Sequence, residues 1–238
     1  MDLYSDVVDC YHRPISTDLA KTRHIPEPVA AAVSEAVAGL GRAGRWWTAS
    51  QRLAIASVAR EASPRPLWDR RPPLETIPAD DGEPLSPFVS ALVELIAVET
   101  SSINRETVDL VSERIGDAAY AEMSAIVAQV AAIDQLSHSL GIPLAPFPAP
   151  SSGQPSRERP DGMGDVGGHI HMSLHHNGAN VARSLSLAAE DHDRWRGLVL
   201  SMYSRDAFLE MVWTNRALSR PQIELLAART SALNQCFY

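Results

Sequence analysis

The sequence predicts an all-α protein, because its apolar residues recur at helical spacing and alternating strand patterns are nearly absent. Ala-rich segments carry apolar residues three or four positions apart, and several of them are bounded by capping residues, glycine or proline. These observations predict helices over seven ranges: 28–40, 49–62, 86–100, 104–115, 118–140, 188–204 and 219–233.

The first three predicted helices are separated by loop-forming segments. The Gly-rich stretch Gly41–Gly44 divides 28–40 from 49–62, and a proline-interrupted loop follows the second helix. The third helix, 86–100, presents one apolar face, formed by Phe88, Leu92, Leu95 and Ile96.

The next two helices carry clear start and stop signals. Asn104 is a good N-terminal cap for 104–115, and Gly116 supplies the left-handed position that ends such helices. The helix over 118–140 stops at Gly141, with Pro143 beyond it. Its apolar stripe keeps one face over some five turns and comprises Met123, Ile126, Val127, Val130, Ile133, Leu136 and Leu140.

Composition divides the chain into three parts. The pattern of residues 1–146 predicts an all-helical unit. The pattern of residues 147–177 predicts a linker rich in proline, glycine and histidine. Helical periodicity resumes in residues 178–238, which we interpret as a second helical unit. The histidine-rich tract between His169 and His176 has no carboxylate or cysteine at ligand spacing, so we predict a solvated loop there and no metal site.

Charge and composition exclude several classes of protein. The 238 residues contain 21 Lys and Arg against 29 Asp and Glu, a net charge of −8, which argues against nucleic-acid binding. No apolar stretch reaches the ~20 residues that cross a bilayer, so no membrane association is expected. Two cysteines, Cys10 and Cys236, cannot form the disulfide framework of a small secreted protein. We therefore predict a cytoplasmic protein.

The segment from Ser219 to Tyr238 places a glutamate and a cysteine twelve positions apart, Glu224 and Cys236. Ser231 and Asn234 precede the cysteine in a Ser-x-x-Asn-x-Cys pattern. On one straight helix the two candidate groups would lie ~18 Å apart, so the chain must turn between them, and Asn234 suits a turn. Cys236 would then open a following helix, whose dipole favours a thiolate.

These residues resemble the signature of the AhpD-like alkylhydroperoxidase and carboxymuconolactone decarboxylase superfamily. The resemblance implies a thiol or selenol peroxidase that reduces hydroperoxides with a dithiol reductant, and it assigns Glu224 to proton handling. It assigns Cys236 to the first, resolving position of Cys-x-x-Cys. The attacking position would come directly after Tyr238, and some members carry selenocysteine there. We therefore expect an inactive, truncated form with a possible selenocysteine just beyond the chain end, and no other cofactor or metal.

Residues 92–144 resemble the helices that follow the motif in a complete family member. We therefore interpret the chain as two AhpD-like repeats, a degenerate one in 1–146 and the first half of a second in 178–238. The register we infer puts Arg52 where the second repeat has Glu224. Because the second repeat is incomplete, four of its apolar residues are expected to be exposed, and exposed apolar surface predicts a homo-oligomer. These residues are Ile223, Leu226, Leu233 and Phe237.

Two alternatives stay open at this point. The chain could be a non-enzymatic, oligomeric protein of the same fold, with Cys236 a small buried hydrophobe and Glu224 a solvated helix residue. It could also be a lyase of the carboxymuconolactone decarboxylase type, since that branch uses other residues in the same cleft.

Overall fold

The protein is all-α, as the periodicity predicts. The computed structural model describes residues 25–65, 69, 71–78, 84–175, 180–202 and 217–234. The α-helices of this part agree with the predicted ranges to within two residues at each end, except that residues 203–204 of the predicted helix 188–204 lie outside the described residues. They are α1 Glu27–Leu40, α2 Ala49–Glu61, α3 Pro87–Val98, α4 Arg105–Ile115, α5 Asp117–Leu140, α6 Ala189–Met202 and α7 Arg220–Leu233.

Short irregular elements connect these helices. Single 3-10 turns lie at Leu74–Thr76, Thr100–Ser102 and Asn180–Arg183. Strands β1 (Met163–Gly164) and β2 (Met172–Ser173) pair in antiparallel fashion and form the one sheet among the described residues. A two-residue ladder contributes little to the fold, so helix packing holds this part of the chain together.

Local sequence explains where the helices begin and end. Helix α2 starts with a capping box, in which the Thr48 and Gln51 side chains each accept the other residue's backbone N–H. The amide of Thr107 donates to Asn104 at 2.9 Å at the start of α4. Gly141, at φ 62° and ψ 42°, ends α5 in the left-handed conformation that glycine adopts without strain.

Helix α5 is the centre of the fold. It packs against α2, α3, α4 and α6, while α1 lies mainly along α6. The main hydrophobic core lies within α1–α5 and the loop that enters α2. Its buried residues are Leu40, Trp47, Ile55, Ala56, Phe88, Val89, Leu92, Val93, Ile96, Val111, Ala119, Met123, Ile126, Val127 and Val130.

The predicted linker lies against the helical unit in its described part. Phe147 packs on the core, under the guanidinium of Arg60 at 3.7 Å from the ring centre. The Ser151 amide donates to the carbonyl of Gly41 at 2.8 Å, which ties the segment to the loop between α1 and α2. Residues 147–160 therefore follow the surface of the helical unit.

None of the helices in the described part of the chain combines the length and the apolar composition that crossing a bilayer requires.

Candidate functional site

Helix α7 carries the glutamate of the predicted motif, Glu224, in its second turn. The backbone amide of Ser219 donates to Gln222 at 2.8 Å in a further capping box, which starts the helix. The helix ends at Asn234, whose backbone and side-chain nitrogens both lie 3.0 Å from the carbonyl oxygen of Thr230. Cys236 lies two positions further on, outside the described residues, as does Cys10.

Glu224 lies on the surface of α7. Its side chain is 57% exposed, and one carboxylate oxygen is 3.4 Å from the Arg220 guanidinium one turn earlier. No residue of α7 is buried against the described part of the chain. Three leucines on this helix are more than half exposed: Leu225, Leu226 and Leu233. Within the described part of the chain, Glu224 is thus a surface residue and not part of a cleft.

A second constellation, which the sequence did not reveal, is a buried cluster of three charged residues. Arg52 on α2 donates to Glu122 on α5 at 2.6 Å. The same guanidinium donates to both carboxylate oxygens of Asp191 on α6, at 2.7 and 2.8 Å. The side chains of Arg52 and Glu122 are 1% exposed and that of Asp191 is 4% exposed. One arginine therefore connects three helices inside the protein.

Neighbouring groups complete the hydrogen bonding of the two carboxylates. Asp191 also accepts from Gln129 at 3.1 Å and from Arg194 at 3.0 Å. Glu122 accepts the backbone amide of Trp46 at 2.8 Å. Buried charges are tolerated when they are paired in this way, because the partners replace the lost hydration.

The loop between α1 and α2 closes over the cluster through a glycine. A β-carbon at Gly44 would lie 1.8 Å from a carboxylate oxygen of Glu122 and 2.6 Å from the Arg52 guanidinium. Either contact is impossible without displacing the ion pair. Gly44 thus lets the backbone approach the buried charges, and its amide donates to the carbonyl of Trp47 at 2.9 Å.

The two carboxylates of the cluster differ in their pKa values. Burial raises the pKa of Glu122 above its usual value, and the charge of Arg52 only partly offsets this effect. Burial also acts on Asp191, but the hydrogen bonds and charge of Arg52 outweigh it and hold the pKa of Asp191 below its usual value. The ionised Asp191 side chain therefore stabilises the fold at pH values above its unfolded-state pKa. This stabilisation is lost as the pH falls through its folded-state pKa. For Glu122 the sign is opposite: its protonated form is favoured in the fold, and stability falls as the pH rises through its folded-state pKa.

The contacts of the three charged residues are those of a structural ion-pair cluster. Its carboxylates are committed to arginine partners, and the described residues around it leave it nearly inaccessible to solvent. A charged residue among the apolar positions of a helix is the sequence signal that marks such a cluster. Arg52 shares the buried face of α2 with Ile55, and Glu122 and Gln129 interrupt the apolar stripe of α5.

Two further surface features carry polar or charged side chains. A groove of about 800 Å³ lies between residues 64–65 and 71–75 on one side and helices α3 and α4 on the other, and Arg71 in its lining is paired with Glu94 and Glu99. In the histidine tract, His169, His171 and His175 are exposed, and His176 lies outside the described residues. Among the described residues, no group of three histidine, cysteine or carboxylate side chains is close enough to hold a metal ion.

Comparisons of the chain with protein-family models, with curated proteins and with solved structures found no match.

Proposed function

We propose that the chain is an AhpD-like oxidoreductase, a thiol or selenol peroxidase whose motif helix is α7. The observation that carries the proposal is the twelve-residue sequence spacing between Glu224, which lies on this helix, and Cys236. Glu224 lies in the second turn, the helix ends at Leu233, and Cys236 follows the capping residue Asn234 by two positions. A helix that ends between the two groups is what their cooperation requires, since a continuous helix would hold them ~18 Å apart.

The order and capping of the helices support a duplication. Each proposed repeat contains a 14-residue helix, α1 or α6, followed by a helix that starts with a capping box, α2 or α7. The two corresponding helices α1 and α6 pack against each other. This arrangement is expected of two related units in one chain.

The capping boxes also refine the register between the two repeats. Aligning Thr48 with Ser219 places Leu53 opposite Glu224, and Arg52 opposite Ile223. The register inferred from the sequence places Arg52 opposite Glu224, so the two registers differ by one position. In either register the first repeat has no carboxylate at the position of Glu224.

The proposed chemistry needs an attacking sulfur or selenium at the position after Tyr238. That group would displace an alcohol from a hydroperoxide and become a sulfenic or selenenic acid. The Cys236 thiolate would then displace water from it and form a disulfide or selenylsulfide, which a dithiol reductant reduces. Glu224 would supply and remove the protons.

The 238-residue chain should show little peroxidase turnover with a hydroperoxide and a dithiol reductant. Cys236 corresponds to the resolving position, and a resolving thiol has no sulfenic acid to attack until the attacking group is present. Peroxide consumption should be measured for the wild type, Cys236→Ser and the matched control Cys10→Ser, and all three are expected to be equally slow. Efficient turnover that survives Cys236→Ser would refute the role given to Cys236.

A second candidate function, a non-enzymatic oligomeric protein of the same fold, is favoured by the exposure of α7. Leu225 is 70% and Leu233 66% exposed, and a helix with this much uncovered apolar surface favours association. On this proposal, and on the first, light scattering at micromolar concentration should show an oligomer. Leu225→Gln combined with Leu233→Gln should shift it toward monomer, whereas Val181→Gln, at an exposed position outside α7, should not. A stable wild-type monomer would contradict the expected association.

A further inference from the structure

Helix α6 is attached to the rest of the protein by apolar packing along α1 and α5 and by one buried carboxylate. Leu198 is its one fully buried apolar residue, and it packs in a small cluster with Ala36 of α1 and Ile133 of α5. Trp195 and Val199 are partly buried.

Asp191 provides the other attachment. Its carboxylate accepts two hydrogen bonds from Arg52, one from Gln129 and one from Arg194. The donors Arg52 and Gln129 lie on α2 and α5, so these bonds connect α6 to the central helices. Beside them, Glu190 forms a bidentate pair with Arg45 whose carboxylate side chain is 52% exposed, and such exposed pairs contribute little.

The main core does not depend on α6. Every buried residue of the main hydrophobic cluster lies between Leu40 and Val130. Undocking α6 would admit water to Arg52 and Glu122 at the edge of this core, and water would then solvate both charges. The fold thus contains a helix that can leave without removing a residue from the main cluster.

We propose that α6 is a detachable helix: it docks on α1 and α5 while the Asp191 carboxylate is ionised, and it is released as a unit when that carboxylate takes up a proton. This inference rests on the buried cluster alone and is independent of the proposed peroxidase chemistry.

The charges that face Asp191 explain the release. Arg52 and Arg194 carry two positive charges, balanced by Asp191 and Glu122, and Glu35 of α1 lies 3.8 Å from Arg194 at the exposed edge. As the pH falls, Glu122 takes up a proton first, because burial raises its pKa, while Arg52 holds the pKa of Asp191 low. Protonation of Asp191 then leaves the buried Arg52 without a carboxylate partner, and undocking of α6 lets water solvate it.

Hydrogen exchange of the full chain, followed by mass spectrometry and corrected for intrinsic rates at each pH, tests the proposal. In the wild type the protection of α6 amides is expected to fall by up to about 10-fold for each pH unit below about 4, the unfolded-state pKa of an aspartate, while α3 and α5 stay protected. Asp191→Asn should lower the protection of α6 at pH 7 to a smaller extent, because Glu122 remains beside Arg52. The control Asp193→Asn, at a position on α6 whose side chain is 83% exposed, should behave as the wild type.

Three results would overturn the proposal. The first is a loss of protection in α3 and α5 together with α6, either in the wild type on acidification or in Asp191→Asn. The second is a wild-type α6 whose protection relative to α3 and α5 does not fall between pH 4 and about pH 2. The third is an Asp191→Asn variant that keeps wild-type protection of α6 at pH 7. Hydrogen exchange of the wild type as a function of pH tests the proposal even if Asp191→Asn does not fold.

Discussion

Replacing Arg52 with methionine is expected to lower the free energy of unfolding by about 3–5 kcal/mol. The substitution keeps the unbranched apolar part of the side chain but removes the guanidinium, which leaves Glu122 without its cation and Asp191 with Arg194 alone. The free energy lost by burying two carboxylates without the Arg52 guanidinium exceeds the free energy gained by burying the apolar methionine side chain. Urea denaturation at pH 7, followed by circular dichroism at 222 nm, measures the difference.

A matched surface substitution distinguishes this effect from the general loss of an arginine. Arg42→Met removes a pair with Glu35 in which the side chains are 49% and 60% exposed, so it should change stability by less than about 1 kcal/mol. Combining Arg52→Met with Glu122→Leu and Asp191→Leu should recover part of the lost stability, because the buried carboxylates are then gone and Arg194 keeps Glu35 at 3.8 Å at the exposed edge. An Arg52→Met protein as stable as the wild type would show that the cluster contributes nothing to the fold.

The helices were predictable because their signals are local. The Asn104 cap, the Gly141 stop and the apolar stripe of α5 each lie within a few turns of the structure that they determine. Tertiary packing adds to these signals in α1–α5 and contradicts none of them, so the predicted and observed bounds agree closely.

The buried cluster was not predictable from the sequence, because its partners are distant along the chain. Arg52 pairs with a residue 70 positions away and with another 139 positions away. A charged residue on a helix is usually solvated, and only the packing of α2, α5 and α6 shows that this one is not. The close approach of Gly44 to Glu122 depends on the same packing.

The candidate site was predictable only in its local part. The twelve-residue spacing can be read from the sequence, and helix α7 ends at Leu233 with Asn234 as its capping residue, while the path of the chain to Cys236 lies outside the described residues. The environment of Glu224 could not be read in the same way. Exposure depends on which groups pack on α7, and a helical period specifies an apolar face without specifying its neighbour.

Replacing Glu224 with glutamine tests the central claim, that Glu224 and Cys236 belong to one peroxidase motif. The measurement uses a chain extended after Tyr238 by a cysteine, which completes Cys-x-x-Cys, and by the helices that complete the second repeat, and it follows hydroperoxide reduction with a dithiol reductant. The extended chain should turn over about 100-fold faster than the 238-residue chain, and Cys236→Ser should abolish the gain.

Within the extended chain, Glu224→Gln should lower the rate by about 100-fold, the usual scale for removing a general acid–base group. Arg229→Gln, at an exposed position on the same helix, is the matched control and should leave the rate unchanged. The account predicts a rate that depends on both Cys236 and Glu224. An extended chain whose peroxide reduction is equally fast with glutamine at position 224 would contradict it.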